Sequence, residues 1–124
     1  MLIDDSSDDN FIHERAIKKT SSDFSIITKT SAKEALEYLA ERTQPRVELI
    51  FLDINMPGMN GWDFLEAYNN LTSDQQGSPI IIMLTSSEYP EDLAKASTSG
   101  NITEYITKPL TKEIMAAIAE KYFL

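Results

Sequence analysis

The sequence predicts an α/β domain in which five parallel strands form one doubly wound sheet with five helices on its faces. Short apolar runs alternate along the chain with segments of helical periodicity, which is the pattern of such a sheet. The runs 47–52 and 80–84 lack polar alternation, as strands buried on both faces do. With 124 residues, 42% of them hydrophobic, residues 1–124 are predicted to be one domain.

The predicted strands follow the apolar runs of the chain. In order they are 1–3, 24–27, 47–52, 80–84 and 105–106. The polar segment 72–79 contains Gly77 and Pro79 and is predicted to be a connection without regular structure.

Helical segments lie between these strands, and several start at residues suited to a helix N-terminus. Ser31 and Glu34 form a capping-box pattern, Asn60 and Thr111 are predicted N-caps, and Pro90 opens the fourth helix. The predicted apolar faces, in helix order, are Phe11, Ile12, Ala16 and Ile17; Ala35, Leu36 and Leu39; Trp62, Leu65 and Tyr68; Leu93 and Ala94; and Ile114, Ile118 and Tyr122.

Charge and composition exclude several classes of function. Twenty acidic residues against eleven basic ones leave a net charge of −9, which disfavours binding to nucleic acid or to an anionic membrane. There is no cysteine, so disulfides and thiolate metal sites are excluded. No apolar run approaches the roughly 18 residues of a membrane span, and no signal-peptide pattern is visible. We expect a cytoplasmic protein.

Polar and charged residues cluster where the predicted strands end. In strand order they are Asp4 and Asp5; Asp53; Thr85 and Ser86; and Lys108, followed by Pro109. Ligands of doubly wound sheets bind beyond these carboxyl ends, so we expect the side chains to converge at one edge. Each residue alone has a structural explanation as a cap or a turn, whereas all of them at the correct strand ends indicate a site.

Such a site suits phosphoryl transfer to a carboxylate. Asp4, Asp5 and Asp53 would repel one another, and a hard cation such as Mg²⁺ removes that cost while leaving room for phosphate oxygens. A carboxylate can act as the nucleophile and form an aspartyl phosphate. Lys108 and Thr85 would then help to neutralise and bind the phosphoryl oxygens.

These residues carry a family resemblance that covers essentially the whole chain. They resemble the signature of CheY-like response regulator receiver domains of two-component signalling. The matching positions are Asp4-Asp5, the run from Leu49 to Pro57, Gly61, Thr85-Ser86, Tyr105 and Lys108-Pro109. The resemblance implies the flavodoxin-like strand order 2-1-3-4-5 and a protein that is not a dedicated enzyme.

The resemblance also implies a role for each matching residue. Asp53 would be the phosphoacceptor, and Mg²⁺ (or Mn²⁺) would be held by Asp5, Asp4, Asp53 and the backbone carbonyl of Asn55. Lys108, Thr85 and the backbone N–H groups of Ile54 and Ser86 would bind the phosphoryl group. Tyr105 would follow Thr85 in the switch, and Lys108–Pro109 would be a cis peptide. Asn55 and Ser87 would flank the position where the family tunes dephosphorylation.

The implied partners are a sensor histidine kinase or a histidine phosphotransfer protein, with a small acyl phosphate as an alternative donor. A downstream protein would bind the face formed by the fourth helix, fifth strand and fifth helix. No output domain follows Leu124 in this sequence. Three interpretations therefore stay open: signalling by docking alone, onward relay of the phosphoryl group, or a fragment of a longer protein. His13 is expected to be exposed and without a catalytic role.

Three alternatives compete with this interpretation. A haloacid-dehalogenase-type phosphatase normally has a second Asp two positions after its nucleophile, where this chain has Asn55. A pseudo-receiver would keep the fold as a binding module without phosphorylation. A flavodoxin-type carrier would need a phosphate loop after the first strand, where the acidic run 4–9 would repel phosphate.

Overall fold

A computed structural model describes residues 1–21, 23–41, 46–76, 79–86, 89–98 and 102–123 of the chain. Five parallel strands form one sheet in the order β2-β1-β3-β4-β5, which confirms the predicted fold class and strand order. The strands are β1 Leu2–Ile3, β2 Thr28–Lys29, β3 Leu49–Leu52, β4 Ile80–Thr85 and β5 Glu104–Thr107. The helices are α1 Ser7–Thr20, α2 Ala32–Ala40, α3 Gly61–Asn69, α4 Ser73–Gln76, α5 Pro90–Thr98 and α6 Lys112–Tyr122.

The sheet has a hydrophobic core on each face. Alternate strand residues point to opposite faces. One face packs under α2 and α3, and the other packs under α1 and α6. The strand residues of the first core are Ile3, Ile50, Leu52, Ile81 and Met83. Those of the second core are Leu2, Phe51, Ile82 and Leu84. Burial on both faces explains why β3 and β4 are continuously apolar.

Strand register aligns the carboxyl ends that carry the predicted site. Ile3 lies opposite Leu52, so Asp4 and Asp53 are the next residues on neighbouring strands. The backbone N–H of Asp53 donates to the carbonyl of Ile3 at 3.0 Å, which extends the β1–β3 ladder into the site. Thr85, the last residue of β4, lies opposite Thr107, one residue before Lys108.

The predicted helix N-caps are present. The Ser31 hydroxyl accepts the N–H of Glu34, and the Thr111 hydroxyl accepts the N–H of Ile114. Asn60 and Asp63 form a reciprocal capping box at the start of α3. Pro90 is the first residue of α5, as its fixed φ angle favours.

Two predicted element boundaries were wrong. Strand β2 is Thr28–Lys29 and follows the predicted run 24–27, because Leu2 and Ile3 of β1 pair with Thr28 and Lys29. At this edge of the sheet the side chains need not be apolar, and Thr28 is exposed. The predicted connection 72–79 contains the single-turn helix α4, where the Thr72 hydroxyl accepts the N–H of Gln75 at 3.2 Å.

The predicted apolar face of α5 was wrong, and that of α1 was wrong at Phe11 and Ile12 but confirmed at Ala16 and Ile17. Phe11 and Ile12 of α1 are 59% and 52% exposed, and Leu93 and Ala94 of α5 are exposed. Helix α5 buries Ala96 instead. The buried residues of α1 are Asn10, His13, Ala16 and Ile17.

Asn10 and His13 are the residues that α1 buries in place of Phe11 and Ile12 beside them. The Asn10 amide donates to the backbone carbonyls of Asp4 and Lys29, which ties α1 to the ends of β1 and β2. His13 is 2% exposed, so the expectation of an exposed histidine was wrong. The Asn10 NH₂ group is satisfied by two backbone carbonyls that only the fold brings together, so periodicity does not predict its burial.

Gly61 is required where the chain returns onto the end of β3. Its N–H donates to the carbonyl of Ile54 at 2.8 Å. A Cβ atom at this position would lie 2.5 Å from the backbone oxygen of Asp53, closer than two such atoms can approach. The glycine thus lets the first turn of α3 pack directly on the backbone of Asp53.

Among the described ranges, no helix combines the length and apolar character needed to cross a membrane.

We predict that stability depends on pH through His13. Burial lowers the pKa of His13, and the ammonium of Lys108 acts in the same direction against the weaker opposing effect of Asp9 and Asp53. The unfolded chain gains a proton near pH 6.5 that the folded chain resists. Stability present above about pH 6.5 is therefore lost as the pH falls from there toward the lowered pKa of the folded state.

Urea unfolding at a series of pH values tests this. In His13→Gln, the loss of unfolding free energy between roughly pH 7.5 and 5.5 should be smaller than in the parent. Ile12→Gln, on the exposed side of α1, should keep the parental pH dependence. Equal slopes in the parent and His13→Gln would show that the histidine does not contribute.

We predict that Gly61→Ala lowers the free energy of unfolding by about 1–3 kcal/mol, because the new methyl group meets backbone and not a flexible side chain. Chemical denaturation measures the change. Gly58→Asn is the control, since Gly58 has φ +78° with open space around it and Asn tolerates that conformation. An equally small loss in both variants would contradict the steric explanation.

Candidate functional site

Three carboxylates meet at the carboxyl edge of the sheet. Asp4 and Asp5 follow β1, and Asp53 follows β3. One oxygen from each of the three lies within 4.8 Å of the others. Asp4 and Asp53 are buried whereas Asp5 is exposed, so the group is open to solvent on one side.

Local backbone N–H groups orient the two buried carboxylates. Asp4 Oδ1 accepts the N–H of Ser6 at 3.0 Å, and Asp53 Oδ1 accepts the N–H of Ile54 at 2.9 Å. The second oxygen of each carboxylate is therefore turned toward the ammonium of Lys108. Lys108 Nζ lies 2.6 Å from Asp4 Oδ2 and 3.5 Å from Asp53 Oδ2.

Lys108 also binds a third carboxylate, that of Asp9. Its Nζ donates to Asp9 Oδ2 at 2.8 Å, from a side chain that is only 14% exposed. Its backbone N–H donates to the carbonyl of Thr85 at 2.9 Å, which fixes the loop after β5 against the end of β4. The peptide bond between Lys108 and Pro109 is cis, as the family resemblance implied.

Electrostatics keep Lys108 charged. Burial lowers the pKa of Lys108, but its hydrogen bonds to Asp4 and Asp9 and the charge of Asp53 outweigh burial and hold that pKa above its ordinary value. Burial raises the pKa of Asp4, against the opposing hydrogen bonds from Lys108 and Ser6. Ionised Asp4 is thus held at a cost that additional positive charge would offset.

The other predicted site residues surround this cluster. Thr85 is fully buried at the end of β4, and Ser86 and Asn55 are exposed. Tyr105 on β5 is half-buried, lies opposite Met83 and packs against the core shared with α2 and α3. Ile54 has a buried side chain and the N–H that binds Asp53. Ser87 lies outside the described residues.

Sequence reasoning missed Asp9 and Asn10. Asp9 lies in the first turn of α1, where the Ser6 hydroxyl accepts its N–H, and an acid is common there as a helix-stabilising residue. Its bond to Lys108 spans 99 residues of sequence, so no local pattern announces it. Asn10 supports Asp4 through the backbone carbonyl.

The donor set fits a hard divalent cation. All available ligands in the group are carboxylate oxygens, the type that Mg²⁺ and Mn²⁺ bind, and one side is open to water or phosphate oxygens. The ammonium of Lys108 pairs with the carboxylates of Asp4, Asp9 and Asp53, and the carboxylate of Asp5 lies close to those of Asp4 and Asp53. The negative excess favours binding of a divalent cation.

Comparison with known proteins gives a family match for this chain. Residues 1–120 match the family described as response regulator receiver domain. Protein PilG of Pseudomonas aeruginosa is 35% identical over 113 residues, which cover 91% of this chain and 78% of PilG. Transcriptional regulatory protein GlrR of Escherichia coli is 27% identical over 115 residues, covering 93% of this chain. The chain spans about a quarter of the length of GlrR, since the match covers 24% of it.

Solved structures share the fold. A two-component response regulator from Cytophaga hutchinsonii superimposes with a TM-score of 0.81 at 33% identity, covering 97% of this chain and 92% of that one. A response regulator receiver protein from Dyadobacter fermentans gives a TM-score of 0.82 at 27% identity, covering 98% and 94%. The strand order, the clustered strand-end residues and a family match over nearly the whole chain all indicate the same family. This chain belongs to the response regulator receiver domains, the signalling modules of two-component systems.

Proposed function

We propose that the chain is a phosphoacceptor that takes a phosphoryl group onto Asp53 in a Mg²⁺-dependent reaction and thereby switches its affinity for a partner. One observation carries the proposal. Asp4, Asp5 and Lys108 converge on Asp53, a buried carboxylate with one oxygen fixed by Ile54 and the other facing the ammonium.

The proposed donor is a phosphohistidine of a sensor kinase or a phosphotransfer protein. An oxygen of Asp53 attacks the phosphorus, an O–P bond forms, and the P–N bond breaks with its electron pair left on the imidazole. A match to sensor histidine kinase GacS of Pseudomonas protegens, 28% identical over 83 residues, supports a place in such relays. It covers 67% of this chain and 9% of GacS. A small acyl phosphate is an alternative donor.

Each site residue has a proposed task. Asp4, Asp5, Asp53 and the carbonyl of Asn55 would hold Mg²⁺ (or Mn²⁺), which supplies positive charge against the repulsion between carboxylates and phosphoryl oxygens. Lys108 would pair with the transferred phosphoryl group. Thr85 and the backbone N–H groups of Ile54 and Ser86 would bind its oxygens, and the Ile54 N–H already faces Asp53.

The proposed output is a change on the face formed by α5, β5 and α6, the fourth and fifth predicted helices with the strand between them. Thr85 would move toward the phosphoryl group, and Tyr105 would repack behind it, as a population shift between two conformations. Two large apolar residues, Tyr89 before α5 and Leu93 on it, are exposed and would contact a downstream protein. We place this signalling in the cytoplasm.

We predict that acetyl phosphate with Mg²⁺ adds one phosphoryl group to the protein. Asp53→Asn should abolish the adduct, because an amide is a poor nucleophile for phosphorus. Asp23→Asn, an exposed acid elsewhere on the surface, is the matched control and should label like the parent. Intact-protein mass spectrometry at neutral pH measures the added mass. An unlabelled parent would favour the pseudo-receiver alternative.

We predict that Mg²⁺ raises the melting temperature, because a ligand bound only by the folded state stabilises that state. At a Mg²⁺ concentration of 100 Kd the free energy of unfolding rises by about 2.7 kcal/mol. Asp5→Asn should lose most of this stabilisation, because it removes one of the three clustered carboxylates without disturbing a buried side chain. Thermal denaturation with and without Mg²⁺, at matched ionic strength, measures both effects. Asp23→Asn is the control and should respond to Mg²⁺ like the parent. If Mg²⁺ stabilised Asp5→Asn as much as the parent, Asp5 would not be a ligand of the metal.

A further inference from the structure

Asp9 has a contact that the proposed function does not use. Its carboxylate binds Lys108 at 2.8 Å, yet it lies outside the group of three acids whose oxygens are close enough to share a cation among the described residues. Its side chain is 39% exposed, against 6% for those of Asp4 and Asp53. Asp9 is therefore a partner of the lysine and not a fourth member of the carboxylate group.

We propose that Asp9 is a positioning residue that holds the ammonium of Lys108 in the unphosphorylated protein and gives it up when Asp53 acquires a phosphoryl group. The inference rests on the proposed function, because it concerns the lysine that would bind the phosphoryl group. It predicts opposite effects of Asp9 on cation binding and on phosphorylation.

The first effect follows from competition for one oxygen of Asp4. Each oxygen of Asp4 already has a partner, because Oδ1 accepts the N–H of Ser6 and Oδ2 binds Lys108 at 2.6 Å, so a cation that binds Oδ2 shares it with the lysine. Sharing this oxygen weakens the bond to Lys108. The loss of a partner by a largely buried ammonium lowers the stability of the protein. The second bond, to Asp9, limits that cost and so favours cation binding.

The second effect follows from the position of Lys108 relative to Asp53. Lys108 forms hydrogen bonds with Asp4 and Asp9 but is 3.5 Å from Asp53 Oδ2, an ion-pair distance longer than the usual N–H···O bond. Asp9 thus holds the ammonium away from the nucleophile. Its negative charge also opposes the approach of an anionic donor.

The test compares three variants of the full chain. Asp9→Asn removes the charge while keeping the shape. Asp8→Asn removes an equal charge from the same first turn of α1, where Asp8 is exposed. Asp9→Glu keeps the charge and is the rescue variant. Isothermal titration calorimetry gives the Kd of Mg²⁺, and mass spectrometry gives the initial rate of labelling by acetyl phosphate at saturating Mg²⁺.

We expect Asp9→Asn to weaken Mg²⁺ binding and to speed labelling, each by roughly two- to fivefold, the range of a partly exposed charge pair. Asp8→Asn should change both quantities less, and Asp9→Glu should return both toward the parental values. Shifts of equal size and sign in Asp8→Asn and Asp9→Asn would overturn the inference, because they would reflect net charge alone.

Failure of the inference is distinguishable from failure of the proposed function. If the parent is not labelled, phosphoacceptance fails, but the calorimetric comparison still decides on Asp9. Weaker Mg²⁺ binding in Asp9→Asn than in Asp8→Asn would then support its hold on Lys108, and equal affinities would overturn it. A lower melting temperature of Asp9→Asn with unchanged Kd and labelling rate would also overturn it, as that result indicates a structural role only.

Discussion

The rest of the site depends on the ion pairs that the ammonium of Lys108 forms with Asp4, Asp9 and Asp53. Buried charges persist in a protein when they are paired, and Asp4 and Asp53 have their remaining oxygens turned toward this one cation. Because the acids outnumber the cation, the cluster keeps a negative excess. That excess stabilises the charged lysine and favours a divalent cation, and the proposed phosphoryl transfer would use both.

The register of the parallel strands positions the residues of this cluster. Parallel pairing of β1 with β3 makes Asp4 and Asp53 neighbours, and pairing of β4 with β5 brings Thr85 beside the loop that carries Lys108. Two cores occupy the opposite faces of the sheet, and the charged groups lie at its carboxyl edge, where Asp4 and Asp53 are buried and Asp5 is exposed. Gly61 keeps the backbone of Asp53 in contact with the first turn of α3.

Much of this arrangement was predictable from sequence, because the signals are local. Continuous apolar runs identified β3 and β4, and the caps at Ser31, Asn60 and Thr111 identified helix starts. The errors arose where a distant partner decides the outcome. Phe11 and Ile12 have the right periodicity for a core face, yet α1 buries Asn10 and His13, since the Asn10 amide finds two backbone carbonyls that exist only in the folded sheet. Asp9 was missed for the same reason, as its partner is 99 residues away.

The most direct test is a crystal structure of the protein with Mg²⁺ and beryllium trifluoride, which mimics a phosphoryl group on a carboxylate. We expect the trifluoride on Asp53, a metal ion bound by Asp4, Asp5 and Asp53, and the ammonium of Lys108 bound to the trifluoride and no longer to Asp9. A structure at saturating Mg²⁺ and trifluoride with Asp53 unmodified and Lys108 still 2.8 Å from Asp9 would contradict the proposal that this cluster is built to receive a phosphoryl group.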